Sequence, residues 1–91
     1  MRKDDEKVME VFNRRFTEGE AISLLKSAEK LENIALDEKI GWCLHFIKTD
    51  KKKLNLFLKC LEERAVSCEK ETQKPIYKAR SEEVRKLLKQ A

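Results

Sequence analysis

Turn-forming residues are scarce in this chain. Its 91 residues include only two glycines, Gly19 and Gly41, and one proline, Pro75. A strand-rich domain of this length needs turn residues roughly every ten positions. Lysine, glutamate, leucine and alanine, which favour helices, recur along the sequence instead. The sequence therefore predicts an all-α fold, and a chain of this length is expected to form one domain over residues 1–91.

The spacing of apolar residues divides the chain into helical segments. We expect helices over about residues 3–16, 18–34, 37–48, 51–72 and 75–90. The apolar positions of the third and fourth segments are in phase, so one continuous helix over 37–72 is an alternative to a break near residue 49. Pro75 suits the first position of the last helix. The predicted architecture is a single small bundle of four antiparallel helices, or five if the break exists.

Capping signals mark several of the expected helix starts. Thr17 followed by Glu20 has the spacing of a capping box, in which each side chain bonds the other residue's backbone N–H. Asp37 is a candidate N-cap of the third helix, because aspartate favours that position. Either Thr49 or Asp50 could cap the fourth helix.

The segment WCLHFIK, residues 42–48, contains the only histidine and the only tryptophan of the chain. At about 100° per residue, His45 and Lys48 lie on the polar side of the third helix. Its apolar face is expected to consist of Ile40, Cys43, Leu44 and Ile47. A histidine followed three residues later by lysine resembles the phosphate-accepting site of histidine phosphotransfer domains, although Thr49 stands where those domains have glycine. The resemblance implies a phosphoacceptor role for His45; the alternative is an amphipathic residue at the edge of the core.

No combination of residues indicates catalysis, a cofactor or a metal. Cys43 and His45 are two residues apart, which on a helix directs them to nearly opposite sides. Cys60 and Cys68 lack the close spacing of a zinc knuckle. The two glycines are isolated, so no glycine-rich phosphate-binding loop is present. We therefore expect no enzyme, no cofactor and no metal site.

The cysteine count and the start of the chain indicate a reducing compartment. Three cysteines are present, and the charged start lacks the apolar stretch of a signal peptide. No run approaches the roughly 20 apolar residues that a membrane span requires. We expect a cytoplasmic, intracellular protein with free thiols, no signal peptide and no transmembrane segment.

The excess positive charge lies in the last predicted helix. Residues 1–73 contain fifteen basic and fifteen acidic residues, whereas residues 74–91 contain six basic and two acidic ones. At helical spacing, four cations lie within roughly 60° of one another and form what we call the basic stripe: Lys74, Lys78, Arg85 and Lys89. Ser81 lies among them. The stripe is expected to bind an acidic partner; the alternative is that it only keeps the helix solvated.

The segment YKARSEEVRKLL, residues 77–88, resembles the last helix of MIT (microtubule-interacting and trafficking) domains. The spacing in that family's first helix is matched by Ile22, Leu24, Ala28 and Glu32. The resemblance implies a three-helix module that binds short helical tails of membrane-remodelling proteins in a groove between helices. The chain departs from the family at Pro75, where the third helix should continue, and in having an additional N-terminal helix.

Several apolar residues lie outside the main stripes of their helices and favour an interaction role. These are Ile22, Leu36, Trp42, Leu56 and Cys60. We expect a non-catalytic helical-bundle module that binds a protein partner or an acidic peptide segment, or associates with a second copy. The contact is expected in an interhelical groove or on the basic last helix. The alternative is nucleic-acid binding by that helix, which the neutral first part of the chain makes less favoured.

Overall fold

A computed structural model describes residues 16–90, and every structural statement below refers to this part of the chain. Its four α-helices are α1 (Glu18–Ala28), α2 (Asn33–Ile47), α3 (Lys51–Ser67) and α4 (Lys74–Gln90). A short 3-10 helix, Glu71–Gln73, directly precedes α4. No strand occurs in residues 16–90, and the predicted small all-α bundle is confirmed. The helix predicted for residues 3–16 lies, except for Phe16, outside the described residues.

The core is built from one apolar side of each helix. The most extensive contact joins α3 and α4, where Phe57, Leu61, Tyr77 and Val84 are fully buried. The apolar face predicted for the third helix is also buried: Ile40, Cys43, Leu44 and Ile47. None of the helices in the described region is long and apolar enough to cross a membrane.

The first described helix is shorter than the sequence predicts. We expected a helix over 18–34, but α1 ends at Ala28, and residues 29–32 form a turn. The Nε2 group of Gln73 donates a hydrogen bond to the Glu29 carbonyl oxygen at 3.0 Å. The two residues are 44 positions apart in the sequence. Their hydrogen bond satisfies a carbonyl that would otherwise be unpaired at the helix end. The turn contains no glycine or proline, so the sequence carries no local stop signal there.

The second described helix begins earlier than predicted. We expected a helix over 37–48 capped by Asp37, but α2 begins at Asn33. The preceding residue, Glu32, makes no side-chain capping bond. Asp37 lies inside the helix, and its Oδ1 accepts a hydrogen bond from Arg80 Nε of α4 at 2.8 Å. The carboxylate predicted to cap a helix instead joins two helices.

The break predicted near residue 49 is present, so the alternative of one helix over 37–72 is wrong. α2 ends at Ile47 and α3 begins at Lys51. Asp50 is the N-cap: its backbone is extended, and its Oδ1 accepts a hydrogen bond from the Lys53 N–H at 3.2 Å. A carboxylate at this position satisfies one of the unpaired N–H groups of the first turn.

The fourth predicted helix, 51–72, is also too long. α3 ends at Ser67, and Cys68 has extended backbone angles while its side chain stays buried. The spacing of apolar residues continues through Cys68, which is why the pattern did not reveal the end. α4 begins at Lys74, so Pro75 is its second residue, still in the first turn where proline is tolerated.

Replacing Asp50 by alanine is expected to lower the free energy of unfolding by about 1 kcal/mol, because α3 loses its side-chain cap. Thr49→Ala changes the neighbouring exposed turn residue and is expected to cost less than about 0.5 kcal/mol. Urea denaturation followed by circular dichroism compares the two variants. Equal losses would show that Asp50 does not act as the cap.

Candidate functional site

A groove lies between α3 and α4, the two helices in closest association. It has a volume of about 490 Å³. The lining residues are Glu62, Ala65 and Val66 of α3 and Lys78, Ala79, Ser81, Glu82 and Arg85 of α4. Small side chains and one valine thus lie between charged ones. Cavities of this size accept a few side chains of a ligand or peptide, and we call this feature the α3–α4 groove.

Small side chains on α4 leave room for the groove. Ser81, predicted to lie among the cations of the basic stripe, is 3% exposed, and its hydroxyl donates to the Tyr77 carbonyl oxygen at 2.8 Å. Because the hydroxyl is satisfied within its own helix, burial of this polar residue carries little cost. Ala79 also lines the groove. A larger residue at either position would fill the space between the helices.

Val66 is the most exposed large apolar residue of the described region. Its exposed fraction is 79%, and it lines the α3–α4 groove. Single exposed apolar residues are common on protein surfaces, but this one lies in a concave surface. Exposed apolar side chains beside a groove are typical of protein contact surfaces.

The structure divides the basic stripe into two kinds of residue. Lys74 Nζ lies 3.1 Å from Glu71 Oε1, and Arg85 pairs with two carboxylates, Glu82 and Glu62. Lys78 and Lys89 are exposed and, within residues 16–90, form no ion pair. Only two of the four stripe residues, Lys78 and Arg85, line the groove. The unneutralised positive charge is therefore smaller than the sequence suggested.

A buried polar network holds the groove helices in position. The Arg64 guanidinium of α3 binds both carboxylate oxygens of Glu29, with Nε and Nη2 each donating at 2.7 Å. The Tyr77 hydroxyl of α4 donates to the same carboxylate at 2.8 Å. The side chains of Arg64 and Glu29 are only 8% and 12% exposed. One carboxylate at the end of α1 thus connects three helices.

The charges of this network are stabilised by its own hydrogen bonds. Burial acts to raise the pKa of Glu29, but the hydrogen bonds from Arg64 and Tyr77 and the charges of Arg64 and Lys26 together hold it below its ordinary value. Burial, and then the hydrogen bond to Glu29, raise the pKa of Tyr77. The network therefore consists of a charged pair and a neutral phenol that donates.

Sequence reasoning did not identify Arg64 or Glu29. A signal was present, because Phe57, Leu61 and Arg64 follow the spacing of one helix face, so Arg64 occupies a position where an apolar residue is expected. Cys60, which the sequence placed outside the main stripe, is buried on this face as well. A charged residue at such a position needs a buried partner. Which of the many carboxylates provides it depends on the tertiary fold.

A second, more polar cleft of about 420 Å³ lies beside this network. Its lining includes Lys26, Lys30, Lys70 and Gln73. The Oε1 atom of Gln73 is buried and has no hydrogen-bond partner within the described region. A buried amide oxygen of this kind is a site for an ordered water.

His45 lies on the exposed side of α2, as predicted. Its ring contacts those of Trp42 and Phe46, with both centroid distances 5.7 Å. Lys48 is exposed as well. Exposure of the two side chains does not test phosphate transfer, and the phosphoacceptor role of His45 remains a prediction. Within residues 16–90, no group of three or more histidine, cysteine or carboxylate residues could hold a metal ion.

All three cysteines are free and buried. Desolvation raises the pKa of Cys43 to about 12 and that of Cys60 to about 11. Desolvation also raises the pKa of Cys68. The thiolate is the nucleophilic form of cysteine, and the raised pKa values favour the protonated thiol.

The chain matches no protein-family model, curated protein or solved structure at a significant level. The resemblances to MIT and histidine phosphotransfer domains therefore rest on short motifs alone.

Arg64→Ala is expected to lower the free energy of unfolding by about 2–4 kcal/mol, because it leaves the largely buried Glu29 carboxylate without its two-bond partner. Arg85→Ala removes an exposed arginine that also binds carboxylates and is expected to cost less than about 1 kcal/mol. Urea denaturation of the two variants measures the difference. Similar losses would contradict the role assigned to Arg64.

The lowered pKa of Glu29 gives the network a pH dependence. A carboxyl group whose pKa is lower in the folded state contributes stability above its unfolded value, 4.5, and loses it as the pH falls through the folded value. The difference in unfolding free energy between wild type and Glu29→Gln is therefore expected to be largest above about pH 5 and to shrink towards about pH 3. Glu62→Gln, in an exposed ion pair, is the control. A constant difference for Glu29→Gln would contradict this prediction.

Proposed function

We propose that this protein is a non-catalytic helical-bundle module that binds a protein partner, and that the α3–α4 groove accepts a short acidic amphipathic helix. The observation that carries the proposal is the position of Val66: 79% exposed and in a groove that two basic-stripe residues, Lys78 and Arg85, also line. The sequence suggests two locations for the partner contact, an interhelical groove and the basic last helix. In this proposal the two locations form one surface.

The size of the groove favours a short partner segment. Lys78 and Arg85 are seven residues apart, so the groove follows α4 for about two turns, roughly 10 Å. A partner helix laid along it would contribute two or three apolar side chains at the spacing of successive turns. Covering Val66 contributes on the order of 1 kcal/mol. A contact of this small size is typical of weak, transient recognition of a partner.

The charges at the groove favour an acidic partner. Lys78 forms no ion pair with residues 16–90 and provides a cation for a partner carboxylate. Arg85 is paired with Glu62 and Glu82, but these pairs are 42–67% exposed, and such pairs contribute little. Because Glu62 and Glu82 also line the groove, Arg85 serves mainly to neutralise them, and Lys78 is the cation that a partner carboxylate can bind without breaking a pair.

Nucleic-acid binding is the weaker alternative. Affinity for a phosphate backbone increases with the number of cations that contact it, and the ion pairs of Lys74 and Arg85 occupy half of the basic stripe.

A cytoplasmic location for the module is supported by its three buried free thiols, which suit a reducing compartment.

Selection from a displayed peptide library, with the biotinylated protein as bait, tests the groove. We expect selected peptides to be amphipathic and acidic. Val66→Glu is expected to weaken their binding about tenfold, because it places a charge in the apolar contact. Lys78→Glu is expected to act in the same direction. The matched controls, Asn55→Glu on α3 and Lys86→Glu on α4, change the same charges outside the groove lining.

Three outcomes would change the assignment. Equal weakening by Val66→Glu and Asn55→Glu would show that the groove is not the binding surface. Light scattering that reveals a dimer, dissociated by Val66→Glu, would identify a second copy as the occupant. Binding of DNA or RNA that is lost with Lys78→Glu and falls steeply with salt would favour the nucleic-acid alternative.

A further inference from the structure

The exposed side of α2 carries a strip of residues that the groove does not use. Ile34 and Trp42 are 73% and 37% exposed although both are large and apolar. Between them in the sequence lies Glu38, which is exposed, and His45 follows one turn after Trp42. We call Ile34, Glu38, Trp42 and His45 the α2 strip.

Helical geometry places these residues on one face. At about 100° per residue, the four lie within roughly 80° of one another, and Glu38 is about 6 Å along the axis from both Ile34 and Trp42. Gly41 lies on the same face and has no side chain. A shallow depression of about 320 Å³ results, lined by Glu38, Gly41, Trp42 and His45.

Contacts with neighbouring rings hold Trp42 in place. Its indole packs edge to face with His45, and its centroid lies 6.2 Å from that of Phe46. Phe46 is itself partly buried against the core. A side chain that is already positioned loses less conformational freedom on binding, so Trp42 is well suited to serve as a contact residue.

The surroundings of the strip are negatively charged, in a chain whose net charge is +4. Arg80 lies against Gly41, since a Cβ added there would be 3.0 Å from its Nη2. Its guanidinium is already occupied by Asp37 and Glu83. Glu38 forms no ion pair with residues 16–90. The three carboxylates of Asp37, Glu83 and Glu38 therefore outnumber the one guanidinium of Arg80.

One further cation lies on this face. Lys48 is one turn beyond His45 and about 15 Å along the axis from Glu38, too far to neutralise its carboxylate. Among residues 16–90, the depression therefore combines a carboxylate without an ion pair and an exposed indole.

We propose that the α2 strip binds an arginine side chain of a partner protein, with an apolar residue one turn away on the partner. Glu38 would accept two hydrogen bonds from the guanidinium, whose planar fork matches a carboxylate. The guanidinium would at the same time stack on Trp42, the aromatic side chain that attracts cations most strongly. Ile34 would cover the apolar residue of the partner.

The only tryptophan of the chain reports on this site directly. The probe is a short alanine-rich peptide with one arginine and a leucine one turn away. The control peptide carries citrulline, which has the shape of arginine without its charge. We expect the arginine peptide to change the fluorescence of Trp42 saturably and the citrulline peptide to bind at least about fivefold more weakly, because the ion pair and the cation–π contact are lost.

Protein variants test the assignment of residues. Glu38→Gln is expected to weaken binding of the arginine peptide about fivefold, whereas Glu63→Gln, an exposed carboxylate on α3, should not. Val66→Glu should leave this binding unchanged, which separates the α2 strip from the α3–α4 groove. All three are exposed positions, and circular dichroism verifies that the variants are folded.

Several outcomes would overturn the proposal. These are the absence of a saturable change, equal binding of the arginine and citrulline peptides, and equal effects of Glu38→Gln and Glu63→Gln. Equal binding of a lysine peptide would overturn the preference for a guanidinium. A dimer in light scattering that Trp42→Ser dissociates would show that a second copy covers the strip instead.

Discussion

The paired contact between Arg64 and Glu29 is the constraint on which the rest of the structure depends. It joins the end of α1 to α3, and the hydroxyl of Tyr77 adds α4 to the same carboxylate. Apolar packing tolerates small shifts of one helix along another, whereas a two-bond ion pair with 8% and 12% exposed side chains requires one relative position. The register of α3 and α4, and with it the shape of the groove, is coupled to this pair.

Local sequence signals predicted those features that depend on neighbouring residues. The buried face of α2 followed from spacing alone, and Thr17 accepts the predicted hydrogen bond from the Glu20 N–H at 3.2 Å. The predictions were wrong for helix ends that depend on residues distant in the sequence. α1 ends at Ala28, where the amide of Gln73 binds the next carbonyl, and no pattern within a few residues of that point carries this information.

The roles of charged residues were less predictable than the helices, because a charge pattern does not say which charges meet. Helical geometry predicts four cations on one side of α4, yet Lys74 and Arg85 bind carboxylates. Arg80, which the basic stripe did not include, joins α4 to Asp37 of α2. Pairing of this kind depends on helix orientation, which the sequence does not encode locally.

The distribution of ion pairs, more than the net charge, determines which partners each surface can accept. Within residues 16–90, pairing leaves Lys78 as the cation available at the α3–α4 groove. Among the same residues, Arg80 is paired with Asp37 and Glu83, and Glu38 beside Trp42 has no ion pair. Next to exposed apolar side chains, the two surfaces therefore present unpaired groups of opposite charge, Lys78 at the groove and Glu38 at the strip. Because complementary charge favours one partner and repels the other, a segment that fits the groove is disfavoured at the α2 strip. On the two proposed assignments, one small bundle distinguishes an acidic helix from an arginine-bearing segment without any change in its fold.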